Sequence, residues 1–494
     1  MASRPINVLY VTSESLPYIR IQSLGDISYS FVMAMREQGV DIRLAMPRYG
    51  IISERRHQIH YIKRLTDLPI PIGKESYQSS IKSSSMNSPR TKVQAYITTN
   101  EHYFTSRKGV YRDAKTLELY PDNNERFLYF CRSIVEMCSL TEWVPDIVHC
   151  VDGETALIPA LFKLTYPEKF EKTKFVLSIH TFEEQYISGK SFFEKTSLPK
   201  EYKDYFIHQN KFNFLKAGIE FADTIVFSNR SYYEANLANP DISGGLMDLL
   251  ANKDVQVLPN GIDPWSWDMR KDKQICSKYE NDLEEFKYNN KVSLSQKFEL
   301  DYDPSIPILG LILDVNEYEA IEYFIENAPI IFKDENIMIL ALARVETRYK
   351  NTLNLLAKKY KKSFRVQFST DLSLFHQLFA GSDFYLSLDN HDPTNMNLAF
   401  AARYGAIPIA NDFYIDRTLF KPIDEKKGFA ILFDKNKVGE FHKAIEKAVK
   451  IFNNKETFNT IIESAVAQKF SWDNSAKEFK TIYTKLLKGA KLEK

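Results

Sequence analysis

Short apolar runs alternate with longer amphipathic stretches from the start of the chain. The run Ile6–Ser13 (INVLYVTS) precedes the loop PYIRIQSLGDI, and apolar residues then recur at helical spacing over Asp26–Gln38. This order predicts a strand, a loop and a helix that ends at Gly39. Asp26 stands at the start of this helix, where an aspartate side chain commonly caps the first turn.

The same alternation continues through the first half of the chain. Strands that alternate with helices indicate a parallel sheet covered by helices on both faces. The predicted elements are the strands Asp41–Pro47, Asp146–Val151, Lys174–His180 and Thr224–Ser228 and the helices Asn123–Cys138 and Lys211–Ala222.

One segment, Ser76–Lys92, is rich in serine and has the composition of a linker. Its flanks, LPIPIG and KVQAYIT, have the apolar pattern of strands. The segment is therefore predicted to be a hairpin inside the first domain.

The pattern breaks at the turn Leu258–Asp263 (LPNGID), which the charged stretch Asp268–Lys287 follows. A second alternating series and a final amphipathic helix, Phe470–Leu487, come after it. We predict two doubly wound, Rossmann-like α/β domains, 1–262 and 263–494, with the final helix in the second and ligand in the cleft between them. The later strands are predicted at Ile306–Leu313, Asn336–Ala343, Phe364–Ser369, Asp383–Leu388 and Ala406–Ala410.

Composition excludes several classes of protein. The 494 residues are too many for one core, and 44% hydrophobic with 26% charged residues is typical of a soluble globular chain. The 65 basic residues nearly balance the 64 acidic ones, so neither nucleic acid nor a membrane is expected as a partner. No apolar run approaches the ~18 residues of a membrane helix, and a cytoplasmic location is expected.

Eight stretches, taken in order, resemble the bacterial glycogen synthases and plant starch synthases. This resemblance implies a GT-B fold, in which two Rossmann-like domains face a central cleft. The stretches are VLYVTSESLPYIR with DIRLAMPRYG, PDNNERFLYFCR, PDIVHCVDGETALIPALFK, FNFLKAGIEFADTIVFS, LPNGIDPWSW, FAGSDFYLSL, NLAFAARYGAIPI and FSWDNSAKEF.

The resemblance also implies a chemistry. These enzymes transfer glucose from a nucleotide sugar, such as ADP-glucose, to an α-1,4-glucan with retention at the anomeric carbon. They need no metal or other cofactor, because an arginine and a lysine neutralise the departing diphosphate. Such stabilisation of developing charge is usually the largest contribution to catalysis.

The opening loop departs from the family pattern Lys-Thr-Gly-Gly-Leu-Gly-Asp. Arg20 keeps the cation and Asp26 the aspartate, and both are candidate substrate-binding residues, although a helix cap explains Asp26 equally well. The adjacent glycines are replaced by Gln22 and Ser23. The loop has therefore lost the residues that let a backbone approach a phosphate.

Three more positions of the first half are implied by the resemblance. Glu154 replaces the final histidine of the His-Asp-Trp-His motif, which contacts the transferred glucose in the family. Asp122 matches a family active-site aspartate, although a turn or cap residue is an equal alternative. Asn260, in the LPNGID turn, is a further candidate substrate-binding residue.

The phosphate-neutralising residues of the second half are also replaced. Aligned on Gly310, the family arginine becomes Asp314 and the lysine becomes Glu319. At ~5 Å and an effective dielectric constant of about 20, each charge pair is worth roughly 3 kcal/mol, so the two reversals predict a cost above ~6 kcal/mol. Arg344, on the next strand, is a replacement cation or, more simply, a surface arginine.

The remaining donor-site positions are altered as well. The aromatic residue that would stack on the base falls at Thr370. The Phe-Glu-Pro-Cys-Gly-Leu motif becomes HDPTNM, with Asp392 and Thr394 at positions of the motif, and the Gly-Gly-Leu turn falls within Asn411–Leu419, which has no glycine. Glu154 with Asp392 could form a pair of hydrolytic carboxylates, but drifted residues are the simpler interpretation.

These substitutions favour a catalytically impaired member of the family that binds an α-glucan, such as glycogen, or a partner such as an active glycogen synthase. One alternative is an active glycosyltransferase that uses ADP- or UDP-glucose and binds the phosphates through Arg20 or Arg344. Another is a purely structural subunit. Fold and activity are separable, so the scaffold alone does not choose among them.

Overall fold

The computed structural model describes residues 4–334, 336–388 and 393–492. The chain divides into two compact units, Met1–Gly261 with Trp472–Lys494, and Ile262–Ser471. The first unit ends beside the domain boundary expected from the sequence. The final helix belongs to the first unit, so its assignment to the second domain was wrong.

The first unit is built on a mostly parallel sheet. Its strands are β1 (Asn7–Val11), β2 (Asp41–Pro47), β3 (His60–Tyr61), β4 (Leu68–Ile72), β5 (Glu75–Asn87), β6 (Lys92–Thr99), β7 (Ile147–Val151), β8 (Lys174–Ile179), β9 (Ile187–Ser188), β10 (Ile207–His208), β11 (Lys211–Asn213), β12 (Thr224–Phe227) and β13 (Asp254–Val257). The main sheet has the order β13-β12-β8-β7-β1-β2-β6-β5-β3, with β4 also paired to β5. The strands from β13 to β6 are parallel, and β5 runs against them.

Helices cover this sheet. They are α1 (Leu24–Glu37), α2 (Asn123–Leu140), α3 (Asp152–Thr155), α4 (Ile158–Thr165), α5 (Phe214–Phe221) and α6 (Arg230–Ala238). The predicted helix over Lys211–Ala222 is shorter than expected, because Lys211–Asn213 pairs with β9 and β10 as strand β11. Asn213 then caps α5, since its side chain accepts a hydrogen bond from Lys216 N.

The predicted hairpin over the serine-rich segment is confirmed, and most of the segment is its long first strand, β5. β5 pairs antiparallel with β6 over Ser80–Asn87 and with β4 over Glu75–Ser79. Ser79 and Ser84 are buried beside Ile81 and Met86. The hydroxyl group of Ser84 is satisfied there, because its Oγ donates to His57 O (2.6 Å).

The second unit is a second parallel α/β sheet. Its strands have the order β16-β15-β14-β17-β18-β19, and every neighbouring pair is parallel. The strands are β14 (Ile308–Asp314), β15 (Met338–Arg344), β16 (Phe364–Gln367), β17 (Phe384–Ser387), β18 (Ile407–Asn411) and β19 (Ile431–Phe433). The helices are α7 (Leu283–Lys297), α8 (Tyr318–Asp334), α9 (Thr347–Lys359), α10 (Leu372–Gly381), α11 (Met396–Arg403), α12 (Glu440–Asn453) and α13 (Lys455–Val466).

The last helix, α14 (Ser475–Leu492), packs on the first unit. Phe479 meets Phe31 of α1 edge-on, with ring centroids 4.9 Å apart. Trp472, just before the helix, donates from Nε1 to Ser30 Oγ (2.9 Å). The apolar face of α14 is therefore buried against α1 rather than against the sheet of the second unit.

Within the described ranges, no helix has both the length and the apolar character needed to cross a membrane.

The anchoring of α14 yields a stability prediction. Tyr483 OH lies 2.7 Å from Nδ1 of His149, a buried side chain whose Nε2 is 2.7 Å from Ser178 Oγ. Burial lowers the pKa of His149 to about 3, so the ring is neutral and needs a partner on each nitrogen. We expect Tyr483→Phe to lower the free energy of unfolding by about 1–3 kcal/mol in urea titrations.

The matched control is Tyr205→Phe, which removes a hydroxyl from a tyrosine that is 43% exposed. It should change stability by no more than about 0.5 kcal/mol. Equal effects of the two substitutions would contradict the role assigned to the His149 contact.

Candidate functional site

The predicted site residues lie at the carboxyl ends of parallel strands, in each unit separately. In the first unit they follow β1, β6, β7 and β13, and in the second they end or follow β14, β15, β16, β17 and β18. This is the edge at which doubly wound sheets bind their ligands.

The loop after β1 is closed onto a buried carboxylate, Glu14. Its Oε2 accepts hydrogen bonds from the backbone N–H groups of Ile21 (2.5 Å) and Gln22 (3.1 Å). Its Oε1 accepts a hydrogen bond from Tyr111 OH (3.0 Å). The amides that a glycine-rich loop would offer to a phosphate are thus satisfied by an internal carboxyl group.

Arg20 and Asp26 are brought together by the same loop. Arg20 Nε lies 2.5 Å from Asp26 Oδ2, and both side chains are at most 10% exposed. Asp26 lies inside α1, whose N-cap is Ser23, so the alternative that it caps the helix was wrong. The two candidate substrate-binding residues form an ion pair with each other.

Glu154 is buried in an acidic cluster that also contains Glu14, Asp152 and Glu184. Burial, and then the charges of Glu184 and Asp152, raise the pKa of Glu154 well above its usual range. Such burial favours the protonated form of the carboxyl group. Only 2% of Glu154 is exposed, so the position where the resemblance implies a replaced histidine holds a buried acid.

Asp152 orients the end of β8. Its carboxylate accepts hydrogen bonds from His180 N (2.7 Å) and pairs with His180 Nδ1 (2.9 Å). His180 is thus held in place by Asp152 and has a structural role.

Glu184 belongs to the same acidic cluster. Burial first, and then the charges of Asp152 and Glu14, raise the pKa of Glu184 to about 7.

The side chains of Asp122 and Asn260 are not hydrogen-bonded to this acidic cluster among the described residues. Asp122 forms a bidentate ion pair with Arg107, both N–O distances being 2.6 Å. Burial opposes ionisation, but the hydrogen bonds and charge of Arg107 lower the pKa of Asp122. The buried Nδ2 of Asn260 has no hydrogen-bond partner among the described residues.

In the second unit, Asp314 and Arg344 end neighbouring strands and stand opposite each other in register. Arg344 donates from Nε to Asp314 Oδ2 (2.7 Å) and from Nη2 to Asp314 Oδ1 (2.8 Å). Their side chains are 17% and 20% exposed. Arg344 is therefore a strand-end ion-pair partner, and its interpretation as a surface arginine was wrong.

Glu319, in the first turn of α8, also has a cationic partner. Lys435, which follows β19, places Nζ 3.5 Å from Glu319 Oε2, and its own side chain is only 13% exposed. The backbone N–H of Lys435 donates to Asn411 Oδ1 at the end of β18 (3.3 Å). Both acids that replace the family cations are thus paired with cations from other elements.

Side chains fill the space where the glycine turn was expected. Asn411, Tyr414 and Ile415 line one side of a cavity, and Asn395 and Leu398 line another. The enclosed space is about 30 Å³, which suits one or two water molecules. Asn395 also accepts a hydrogen bond from Asp416 N (3.0 Å), which ties this turn to the start of α11.

The other donor-site positions are not gathered around that cavity. Thr394 directly precedes Asn395 and is half-buried, while Thr370 is exposed after β16. Asp392 lies outside the described residues. Within the described ranges, no group of three or more His, Cys, Asp or Glu side chains is arranged to hold a metal ion.

Sequence reasoning missed Glu14, Glu184 and Lys435. Glu14 follows the first strand within TSES, a position that could have been recognised as a strand end. Glu184 and Lys435 gave no such signal. Each lies in a loop whose path the sequence does not predict, so neither the acidic cluster around Glu184 nor the pairing of Lys435 with Glu319 could be foreseen.

This chain matches proteins of known class over its whole length. A family model described as the starch synthase catalytic domain matches residues 7–252. The glycogen synthase of Chlorobaculum tepidum is 28% identical over 496 residues, which cover 99% of this chain and 100% of that relative. The glycogen synthase of Clostridioides difficile is 27% identical over 493 residues, which cover 97% and 99%.

Solved structures agree on the fold. The catalytic domain of starch synthase IV from Arabidopsis thaliana, bound to ADP and acarbose, superposes with a TM-score of 0.85 at 20% identity, over 98% of this chain and 100% of that one. Sucrose-phosphate synthase from Thermosynechococcus elongatus gives a TM-score of 0.57 at 11% identity, over 98% and 100%. The architecture is that of the GT-B glycosyltransferases. The chain belongs to the glycogen and starch synthase family of these enzymes.

The burial of Glu14 predicts a pH-dependent stability. Burial raises the pKa of Glu14 from its usual 4.5 to about 7, although its hydrogen bonds oppose the shift. The neutral form is favoured on folding, so the stabilisation is fully present below pH ~4.5 and is lost as the pH rises through about 7. We expect Glu14→Gln to abolish this contribution, about 3 kcal/mol in all.

The measurement is urea unfolding of both proteins between pH 4.5 and 8. The difference between wild type and variant should change steadily across this window, while the exposed Glu168→Gln variant should follow the wild type. A difference that is independent of pH would show that Glu14 is ionised throughout.

Proposed function

We propose that this protein is a catalytically impaired member of the glycogen and starch synthase family, which acts by binding an α-glucan or an active glycogen synthase. The observation that carries the proposal is the pairing at the ends of β14 and β15 and at the start of α8. There, acids replace the family cations, and each acid holds a cation of this chain. The proposed location is the cytoplasm.

The pairing lowers the predicted electrostatic cost of binding a diphosphate. The value above ~6 kcal/mol applies to two carboxylates without cationic partners. In the structure, Asp314 faces Arg344 and Glu319 faces Lys435. A diphosphate would meet a locally balanced charge rather than a net repulsion. It would still gain little, because each phosphate contact with Arg344 requires the loss of a bidentate carboxylate contact of similar strength.

The first unit supports the same conclusion through different contacts. Asp26 holds Arg20, and Glu14 holds the amides of Ile21 and Gln22. Groups that could take part in binding a phosphorylated sugar are therefore engaged internally. Glu154 is buried and the pKa of its carboxyl group is raised, so it does not present to a sugar the imidazole of the histidine that it replaces.

A second candidate is an active glycosyltransferase that uses ADP- or UDP-glucose with altered phosphate-binding residues. The observation that favours it is the position of Arg344 and Lys435, because both stand at the carboxyl-end edge of the second sheet. In that case Asp314 and Glu319 would release these cations when a nucleotide sugar binds. The two candidates differ in turnover and in nucleotide binding.

The proposal is tested by glucosyl transfer. Purified protein is incubated with radiolabelled ADP-glucose and glycogen, and label is counted in precipitated glucan beside the Chlorobaculum tepidum glycogen synthase. We expect background counts from a protein that is shown to be folded by circular dichroism. Incorporation comparable to that of the authentic synthase would overturn the proposal, and co-sedimentation with glycogen separately reports glucan binding.

The second candidate is tested by calorimetric titration with ADP-glucose and UDP-glucose. It requires a saturable isotherm that weakens at least tenfold in Arg344→Gln and strengthens in Asp314→Asn, because the neutral amide releases the guanidinium charge. Our proposal expects no saturable isotherm in the wild type. Arg365→Gln, in the neighbouring strand β16, is the matched control.

A further inference from the structure

A run of basic residues lies at one edge of the first unit. The segment Arg48–Arg64 contains five arginines and lysines and one acid, Glu54, in a chain whose net charge is +1. Glu54 is already shared by Arg48 (3.0 Å) and Lys82 (2.6 Å). Glu54 therefore does not balance the charges of the other four basic residues of the segment, which are Arg55, Arg56, Lys63 and Arg64.

The exposed part of this segment forms one surface along β5. His57 O accepts a hydrogen bond from Ser84 Oγ, and β3 pairs His60 with Ser83 and Tyr61 with Lys82. We call the exposed side chains of this stretch the basic edge. It consists of Arg55, Arg56, His60, Tyr61, Lys63 and Arg64.

The basic edge has the composition of a protein-binding surface. Tyr61 is 67% exposed and lies against Lys82, whose Nζ is 4.0 Å from the ring centroid. Tyrosine and arginine are enriched in protein interfaces. Within the described residues Arg55, Arg56 and Lys63 make no ion pair, and Arg64 has only Glu142 at 3.9 Å.

The second unit carries a surface of opposite sign. Glu280, Asp282, Glu284 and Glu285 are exposed, with no basic residue between them. Tyr288, one turn further along α7, is 54% exposed. We call these five side chains the acidic corner. Among the described residues none of its carboxylates makes an ion pair.

A local role explains only part of the acidic corner. Asp282 caps α7 by accepting a hydrogen bond from Glu285 N (2.9 Å), and acids in a first turn favour the helix dipole. That role does not require Glu280, which lies outside the helix, or an exposed tyrosine. The basic edge and the acidic corner thus carry opposite charges, and each exposes a tyrosine, Tyr61 or Tyr288.

We infer that the basic edge of one molecule binds the acidic corner of a second copy of this chain. The two surfaces differ, so the contact is heterologous. Two molecules form a closed dimer when each binds the other through both of its surfaces. When the two surfaces of a molecule bind different neighbours, the contact continues into larger assemblies. The contact is electrostatic and weakens with salt, because the Debye length falls from about 30 Å at 0.01 M to about 3 Å at 1 M. This inference does not depend on whether the protein transfers glucose.

Charge exchange tests the contact by sedimentation velocity at 20 mM and 500 mM NaCl. The wild type should associate at low salt, with at least tenfold weaker association at high salt. Arg55→Glu with Arg56→Glu should be monomeric, as should Glu284→Lys with Glu285→Lys, because each removes the net charge of one of the two surfaces. An equimolar mixture of these two double variants should associate again, since the unchanged acidic corner of the first variant then meets the unchanged basic edge of the second.

The matched control is Lys477→Glu with Lys488→Glu, the same change of charge at exposed positions of α14, which should associate as the wild type does. A monomeric wild type at low salt would overturn the inference, even if it bound an authentic glycogen synthase. So would association that survives both double variants, or a mixture that stays monomeric. Circular dichroism of each variant shows that loss of association is not loss of folding.

Discussion

In a parallel sheet every strand ends at the same edge, and both candidate sites of this protein depend on that constraint. It places Asp314 opposite Arg344, and it brings the loop after β1 beside the ends of β7 and β8. Side chains distant in sequence become neighbours there without any local signal. An edge built this way can hold a ligand, or it can be satisfied by its own side chains.

In this chain internal contacts satisfy much of both edges. Carboxyl groups engage the amides and cations of these edges: Glu14 binds two amides, Asp26 binds Arg20, and Asp314 binds Arg344. Burial raises the pKa values of both Glu154 and Glu184 in the neighbouring acidic cluster. The chain is 28% identical to a glycogen synthase over its full length and has the fold of a starch synthase. Fold and activity are separable, so the shared scaffold does not by itself fix what these edges bind.

Much of the fold was predictable from the sequence. The strand Asp41–Pro47 agrees residue for residue with β2, and the strands of the second unit begin or end within a few residues of their predicted bounds. The short strands β13 and β19 were missed, because four or fewer residues give little periodicity. The final helix was recognised, but its unit was not, since an apolar stripe does not specify which surface covers it.

The sequence by itself determined the α/β class, the family and the identity of the replaced residues, because periodicity and ordered motifs are properties of the chain. Only the tertiary structure decided what those residues do. From sequence, Asp314 and Glu319 were two unopposed negative charges, and Arg344 was a surface residue. Their partners come from β15 and from the segment after β19, and the distances between these elements are set by sheet order rather than by sequence separation. The charge balance of a site is a sum over neighbours in space, so it was fixed only when the strands were assembled.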